Sequence, residues 1–378
     1  MDKFGKSQSV LRTEDDRFLT GKGNYIDDST PTGSLYAYFF RSQVAHAKIL
    51  NLNVGDASRA AGVHGIFVAE DLENNGVKND LVGVTIKNHD GTDGASPKRP
   101  LLAKERVRFV GEPIALVIAN TIQNAKDAAE LIEVDYDDLP ISIDLAVNEN
   151  TIHPEAPGNL AFEWDLGDKS KTDAVFESAD HIVSMEVYNN RIIANSMEPR
   201  GCYAQWDNER LHLAFSGQGV WVHKRFASEI LGLEIEQIRV TNPDVGGGFG
   251  MKAMGYPEEF VVSFAAIKLK KPVRWISERT EAMLSDNAGR DLKHLAELAF
   301  DETNKIVGYR VNTFCNLGAY NSRFGQNIQT GLFSKVLMGV YDVQNTYLSV
   351  KGIYTNTTQV DAYRGAGRPE AIYLLERM

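Results

Sequence analysis

Two cysteines, Cys202 and Cys315, are all that 378 residues contain, and no Cys-x-x-Cys pair exists. An iron–sulfur cluster or zinc knuckle built from this chain is thereby excluded. Far apart in sequence, the two read as buried apolar thiols of a reducing compartment. Long apolar runs are missing too. Ile114 to Ala119 is typical of the longest, far short of a membrane span. The amino terminus, Met1 to Ser7, has no apolar core like that of a secretory signal, so a soluble, cytoplasmic chain is expected. Positive charge is in deficit: 40 Lys and Arg stand against 51 Asp and Glu, and the net −11 argues against a nucleic-acid surface. Hydrophobic residues make up 43%, enough for two or more domains with real cores.

Glycine is concentrated at one place. The stretch Asn242-Pro243-Asp244-Val245-Gly246-Gly247-Gly248-Phe249-Gly250-Met251-Lys252 follows the β-like run Gln237 to Val240 and precedes a helix opening at Pro257-Glu258-Glu259. Proline and acids suit a first helical turn. Three consecutive glycines cost conformational entropy and contribute no packing, so their use is close approach of bare backbone. A P-loop needs Ser or Thr after Gly-Lys, but Gly250 is followed by Met251 and Lys252 by Ala253; a dinucleotide fingerprint needs glycine at Met251. A tight turn remains open as the simplest reading, although Phe249 inside the run suggests a wall beside a ligand.

Taken in order, Arg17 to Asp28 reads as a loop into a strand Ser34 to Arg41. His46 reads as a histidine bonded to a local turn. Glu73 to Arg99 reads as an irregular excursion. Ile114 to Ala119 is a strand buried on both faces, Thr121 caps a helix to about Leu131, and Glu133 to Tyr136 is a second strand. That unit predicts a right-handed parallel crossover. Asn148 to Lys171 reads as a linker. A strand Asp180 to Val187, a turn Asn195 to Gly201 and a hairpin Cys202–Trp206/Leu211–Phe215 follow. Gln218, in Phe215-Ser216-Gly217-Gln218-Gly219, ends a strand and precedes a helix around His223 to Leu231. Pro257 to Leu269 predicts a core helix and His294 to Phe300 with Ile306 to Cys315 a second hairpin. Arg290 and Asp291 read as an ion-pairing site as readily as a functional one. A last glycine loop, Tyr363-Arg364-Gly365-Ala366-Gly367-Arg368, opens a helix at Pro369-Glu370. On residue type alone, Gln218 reads equally as a solvated turn residue and Arg364 as a salt-bridge partner.

The Gly246–Lys252 loop, the Ser216–Gly219 turn, the Tyr363–Arg368 loop and the Glu112-Pro113 and Asp135 to Pro140 segments together resemble the large subunits of molybdenum hydroxylases. That is the xanthine dehydrogenase, aldehyde oxidase and carbon monoxide dehydrogenase family, and the likeness runs over nearly the whole chain. It implies an α/β hammerhead-like domain at 1–147, a linker at 148–171 and the first molybdenum-cofactor domain at 172–378, truncated at its end. The helix reaching Met378 carries no C-capping signal, and the catalytic glutamate of the family would lie beyond it. The isolated chain is accordingly expected to be inactive.

The resemblance further implies that a molybdenum–molybdopterin cofactor, in its cytosine dinucleotide form, hydroxylates a carbon next to nitrogen or oxygen. The pterin dithiolene, and no side chain, would hold the metal. Gln218 would bond an oxygen on it, and backbone N–H groups of Phe249 and Gly250 would fix the oxo ligand. Gly248, Arg364 and Gly365 would line the cofactor, and Phe249, Ala253 and Ala366 the substrate pocket. Electrons would leave through a 2Fe-2S small subunit and an FAD medium subunit, in a dimer of heterotrimers. Within the family, carbon monoxide dehydrogenases place a copper-binding cysteine where Gly365 stands, and xanthine enzymes a glutamate and a phenylalanine where Ala253 and Ala366 stand. An aldehyde or N-heterocycle is the expected substrate. A non-catalytic assembly module and a carbon-monoxide-dehydrogenase-like chain are the alternatives.

Overall fold

The computed structural model describes residues 10–378; the polar stretch Met1–Ser7 lies outside the described residues. Two sheets dominate. Seven strands run in the order Ile238–Thr241, Arg210–Phe215, Gly201–Asp207, Val273–Ile276, Leu35–Arg41, Pro113–Ala119, Val63–Phe67. Five more run Leu160–Gly167, Asn345–Tyr354, Ile306–Gly318, Leu292–Phe300, His181–Asn189. A three-stranded sheet, Arg106–Val107, Ala47–Asn53, Glu133–Asp138, completes the amino-terminal part.

Alternation along Pro113–Ala119 explains why that strand is buried on both faces. Leu116 and Ile118 join a core with Phe260 and Phe264 of the helix Pro257–Leu269. Ala115, Val117 and Ala119 face the other way, onto Ala125, Ala128 and Ala129 of the helix Ile122–Ala129. Thr121 starts that helix as expected, its side chain accepting from the Asn124 N–H at 3.1 Å. Each buried Leu, Ile or Val contributes roughly 1.5–3 kcal/mol. The hairpin Gly201–Asp207/Arg210–Phe215 also forms, its turn made by Asn208 and Glu209 in left-handed backbone.

Two expectations need correction. The parallel crossover does not form: Pro113–Ala119 pairs antiparallel with both neighbours in one sheet, while Glu133–Asp138 pairs antiparallel with Ala47–Asn53 in another. Its helix is short, and Glu133–Asp138 is largely exposed and acidic, so it suits a sheet edge and not a buried interior. The 148–171 linker contains the strand Leu160–Gly167, paired with Asn345–Tyr354, and the start of the helix Lys169–Glu177. Its pairing partner lies some two hundred residues away, so local composition carries no trace of it. The 148–171 segment is nonetheless not a break in the sheet. Leu35 pairs in parallel with Val273, so strands from both sides build one seven-stranded sheet.

A buried ion cluster locks that junction. Glu258 accepts from Arg200 at 2.9 Å and from Arg41 at 2.7 Å; Arg200 also reaches Asp286 and Arg41 reaches Glu281. Burial alone would raise the Glu258 carboxyl, but Arg200 and then Arg41 overcome it and hold the carboxyl well below the usual range. A depressed carboxyl contributes stability that is present above its unfolded pKa, about 4.3, and lost as pH falls through the folded value. Glu258→Gln should therefore lose about 3–5 kcal/mol at pH 7, the cost of breaking a buried pair. The deficit should shrink below pH 4, and urea unfolding at pH 7, 5, 4 and 3 checks this.

Candidate functional site

Sheet register brings the first two glycine loops together. Arg210–Phe215 and Ile238–Thr241 are parallel neighbours, Leu211 opposite Ile238, so their carboxyl ends open at the same edge. Crevices at the carboxyl ends of such strands are where ligands bind in open sheets. One strand continues into Gly217-Gln218-Gly219 and the helix Trp221–Leu231, the other into Gly246–Gly250. The third loop, Ala362–Gly367, arrives from Val360, which bridges Ala288 in parallel, and feeds the helix Arg368–Arg377.

The loops are tied to one another by backbone. The Gly250 N–H donates to Gln218 Oε1 at 2.7 Å, and Gln218 N–H donates to the Lys252 carbonyl at 3.1 Å. Because a backbone N–H can only donate, the bond identifies the oxygen end of the Gln218 carboxamide. Its –NH2 end makes no bond to the protein among the described residues. The Arg364 N–H donates to the Phe249 carbonyl at 2.9 Å, joining the second and third loops. Phe249 takes left-handed backbone, φ 54°, and the residue is 42% exposed. Its N–H has no protein acceptor among the described residues. A Cβ on Gly248 would lie 2.5 Å from Gln218 Oε1, and one on Gly250 would lie 2.8 Å from the Ala362 carbonyl. Bare glycine backbone is what permits this packing.

Gln218, Gly248, Phe249, Gly250 and Arg364 are thus brought together, with Gly365 and Ala366 one and two residues further along the third loop. Arg364 and Gly365 are exposed, and Ala366 is partly so with φ 41°. Ala253 follows in the short turn Met251–Ala253, its N–H bonded to the Gly250 carbonyl. The Gly250 N–H, expected to face an oxo ligand, donates to Gln218 Oε1 in this structure. Arg364 makes no ion pair among the described residues; its carbonyl accepts from Arg290, which also pairs with Glu370 at 2.9 Å. Asp291 pairs with Arg191 at 3.1 Å, and Arg290 braces the third loop through the Tyr363 and Arg364 carbonyls. His46, expected to bond a local turn, instead bonds the Pro140 carbonyl, ninety-four residues away in sequence.

Sequence reasoning missed Glu198. Its Oε2 accepts from the Gly246 N–H at 2.8 Å and from Lys252 Nζ at 3.0 Å, and the Glu198 N–H donates back to the Gly246 carbonyl. Both ends of the glycine loop are therefore pinned by one carboxylate. Lys252 is 1% exposed; burial lowers its pKa and Glu198 opposes that. The only sequence signal was an acid in a turn forty-eight residues from its partner. Glu198→Gln keeps an acceptor for Gly246 but strands the Lys252 charge, so a loss of about 3 kcal/mol is expected. Adding Lys252→Met should restore most of it, read by urea unfolding; no recovery would mean the pair is not what Glu198 contributes.

Against known proteins, a family model described as the molybdopterin cofactor-binding domain matches residues 152–378. A second, the aldehyde oxidase and xanthine dehydrogenase a/b hammerhead domain, matches 20–140. The chain is 35% identical to the carbon monoxide dehydrogenase large chain of Hydrogenophaga pseudoflava, over 99% of this chain and 48% of that one. It is 33% identical to the nicotine 6-hydroxylase large subunit of Paenarthrobacter nicotinovorans, over 95% and 44%. Among solved structures, quinoline 2-oxidoreductase from Pseudomonas putida 86 superposes with a TM-score of 0.89 at 30% identity, covering 97% of this chain and 48% of that one. The chain spans about half the length of these relatives. No helix among the described residues is long and apolar enough to cross a membrane. With a hammerhead domain, a cofactor-binding domain and the three joined glycine loops all in place, the chain belongs to the molybdenum hydroxylase family of aldehyde oxidase and xanthine dehydrogenase type.

Proposed function

We propose that this chain is the molybdenum-cofactor-binding part of an oxidoreductase that hydroxylates an aldehyde or an N-heterocycle. One observation carries the reading: Gln218 and Phe249, on different loops, both offer N–H donors beside the same exposed edge, held there by the Gly250–Gln218 and Arg364–Phe249 bonds. The residues fit the cofactor because the cradle is bare backbone in which a Cβ on Gly248 or Gly250 would collide, and because its free donors suit oxygen atoms on a metal. When bound, the molybdenum centre supplies the hydroxylating oxygen and accepts the electrons. The chain's own part is to hold and orient. The Gln218 –NH2 and the Phe249 N–H donate to cofactor oxygens, as preorganised donors do in an oxyanion hole. The Phe249 ring limits where a flat substrate can lie and keeps water from one side of it. Ala253 and Ala366 leave room that a larger side chain would fill.

The reading extends to the cytosine dinucleotide form of the pterin, to 2Fe-2S and FAD subunits that carry the electrons away, to a dimer of heterotrimers and to the cytoplasm. The family relationship and the absence of any Cys-x-x-Cys support the need for separate electron carriers. Co-expression with neighbouring small and medium subunits in a host that makes the cofactor tests it. Stoichiometric molybdenum and turnover of an aldehyde or N-heterocycle with an artificial acceptor are the expected result. A correctly folded complex that takes up no molybdenum would refute the proposal in favour of an assembly role.

A further inference from the structure

The polar segment Arg17–Ile26 lies against the approach to the Gly246–Gly250 loop. Asp244, two residues ahead of Gly246, is the point of contact. Arg17 donates from Nε to Asp244 Oδ2 at 3.1 Å and from Nη2 to Oδ1, a fork on both carboxylate oxygens. The Asn24 N–H donates to Oδ2 at 2.9 Å, and the Asp244 N–H donates to the Asn24 carbonyl at 3.0 Å. These donors, Arg17 first and then Asn24, hold the Asp244 carboxyl below the usual range. The Ile26 N–H reaches Glu198 Oε1 at 3.4 Å, and Glu198 is the carboxylate that holds Gly246 and Lys252. Both anchors of the glycine loop therefore meet one short segment.

That segment has footings of its own. Ile26 is 1% exposed and packs with Tyr203, Ala214 and Ile276 of the seven-stranded sheet. Asp27 pairs with Arg274 of the same sheet. The turn is closed by the Lys22 N–H on the Arg17 carbonyl at 2.7 Å, with the Phe18 and Tyr25 rings stacked, their centroids 6.3 Å apart. The loop has no such footing. Gly246, Gly247 and Gly248 bring no side chains to pack, and glycine loses the most conformational entropy when it is fixed. A bidentate arginine–carboxylate contact sets direction as well as distance. The Arg17 side chain is 41% exposed and that of Asp244 12%, so the pair adds orientation more than global stability.

We propose that Arg17 is a positioning residue of the cofactor site: through Asp244 it fixes the path of the glycine loop, and with it the direction of the Phe249 N–H. The Gln218 carboxamide follows, because its oxygen is held by the Gly250 N–H. Arg17 acts through Asp244 and touches no reacting atom. Only its effect on turnover rests on the molybdenum hydroxylase reading; its hold on the loop does not.

Hydrogen exchange of the metal-free protein, read by NMR at the Gly246 and Gly250 N–H groups, tests the clasp. Arg17→Gln should speed both about tenfold, the low end for a charge-assisted bond as suits a part-exposed pair, and leave the helix Pro257–Leu269 unchanged. Asp244→Asn, which keeps an acceptor for Asn24, should do the same, and the double variant no more than either alone. Arg12→Gln, which breaks only the neighbouring pair with Asp15, should have no effect. In molybdenum-loaded enzyme, Arg17→Gln should lower kcat severalfold at unchanged KM, molybdenum content and melting temperature. Arg17→Lys, with a point charge in place of a fork, should fall between. Faster exchange confined to Asn24 and Asp244 would mean that the loop holds the segment and not the reverse. That result, additive single effects, or a fall in kcat matched by lost metal and a lower melting temperature would overturn the proposal. A protein that takes up no molybdenum would refute the cofactor reading alone, and the exchange result would still decide the clasp.

Discussion

Gln218→Ala, in molybdenum-loaded enzyme containing this chain, is expected to lower kcat by roughly one to three orders of magnitude, as losing one preorganised donor does. The substitution removes the –NH2 group and also frees the Gly250 N–H, which Gln218 Oε1 accepts at 2.7 Å. The two effects can be separated. Gln218→Glu keeps an acceptor for Gly250, and so keeps the loop, but replaces the donor with a negative charge. If the donor is what matters, the glutamate variant should be as impaired as the alanine one while melting like the parent. If holding the loop is what matters, the glutamate variant should recover. Molybdenum content must be equal across the series. Unchanged turnover in Gln218→Ala would make the residue a structural turn and nothing more.

Carbon monoxide is expected to give no turnover and the preparation no bound copper, despite 35% identity to a carbon monoxide dehydrogenase large chain. Copper(I) bridged to molybdenum needs a soft anionic ligand, which a thiolate supplies. Gly365 stands where the resemblance would require that cysteine. The two cysteines present cannot substitute: Cys202 lies in a hairpin strand and Cys315 in a long strand of the other sheet, both fully buried. Burial pushes both thiols up, away from the thiolate. The backbone argues the same way. Gly365 has φ 98°, and a Cβ there would collide with the Pro369 ring. Gly365→Cys is therefore expected to perturb the third loop without conferring carbon monoxide oxidation. A substrate panel with an artificial acceptor, run beside copper analysis, settles the matter. Carbon monoxide turnover with bound copper would reverse the assignment. Turnover of xanthine would undo the pocket argument from Ala253 and Ala366 while leaving the chemistry intact.

What could be read from the chain alone was whatever short-range pattern encodes. The apolar run at Ile114–Ala119, the cap at Thr121, the hairpin at Cys202–Phe215 and the three glycine loops each announce themselves within a dozen residues, because period, capping and turn chemistry act over that distance. The same segments carried the family likeness and named Gln218, Phe249 and Arg364. Partnership across long separations was not legible. Leu160–Gly167 looks like a linker until Asn345–Tyr354 is beside it, and Leu35–Arg41 gives no sign that it will pair with Val273–Ile276 and merge two presumed domains into one sheet. Glu198 reads as a turn acid, Arg99 as part of a surface excursion. Only tertiary packing sets one against Lys252 and buries the other, with no ion-pair partner among the described residues, at a cavity wall. Sequence determined which loops exist and which residue types they present. Folding decided which hydrogen bonds those residues had already made, and therefore which donors, the Gln218 –NH2 and not the Gly250 N–H, remain to be offered.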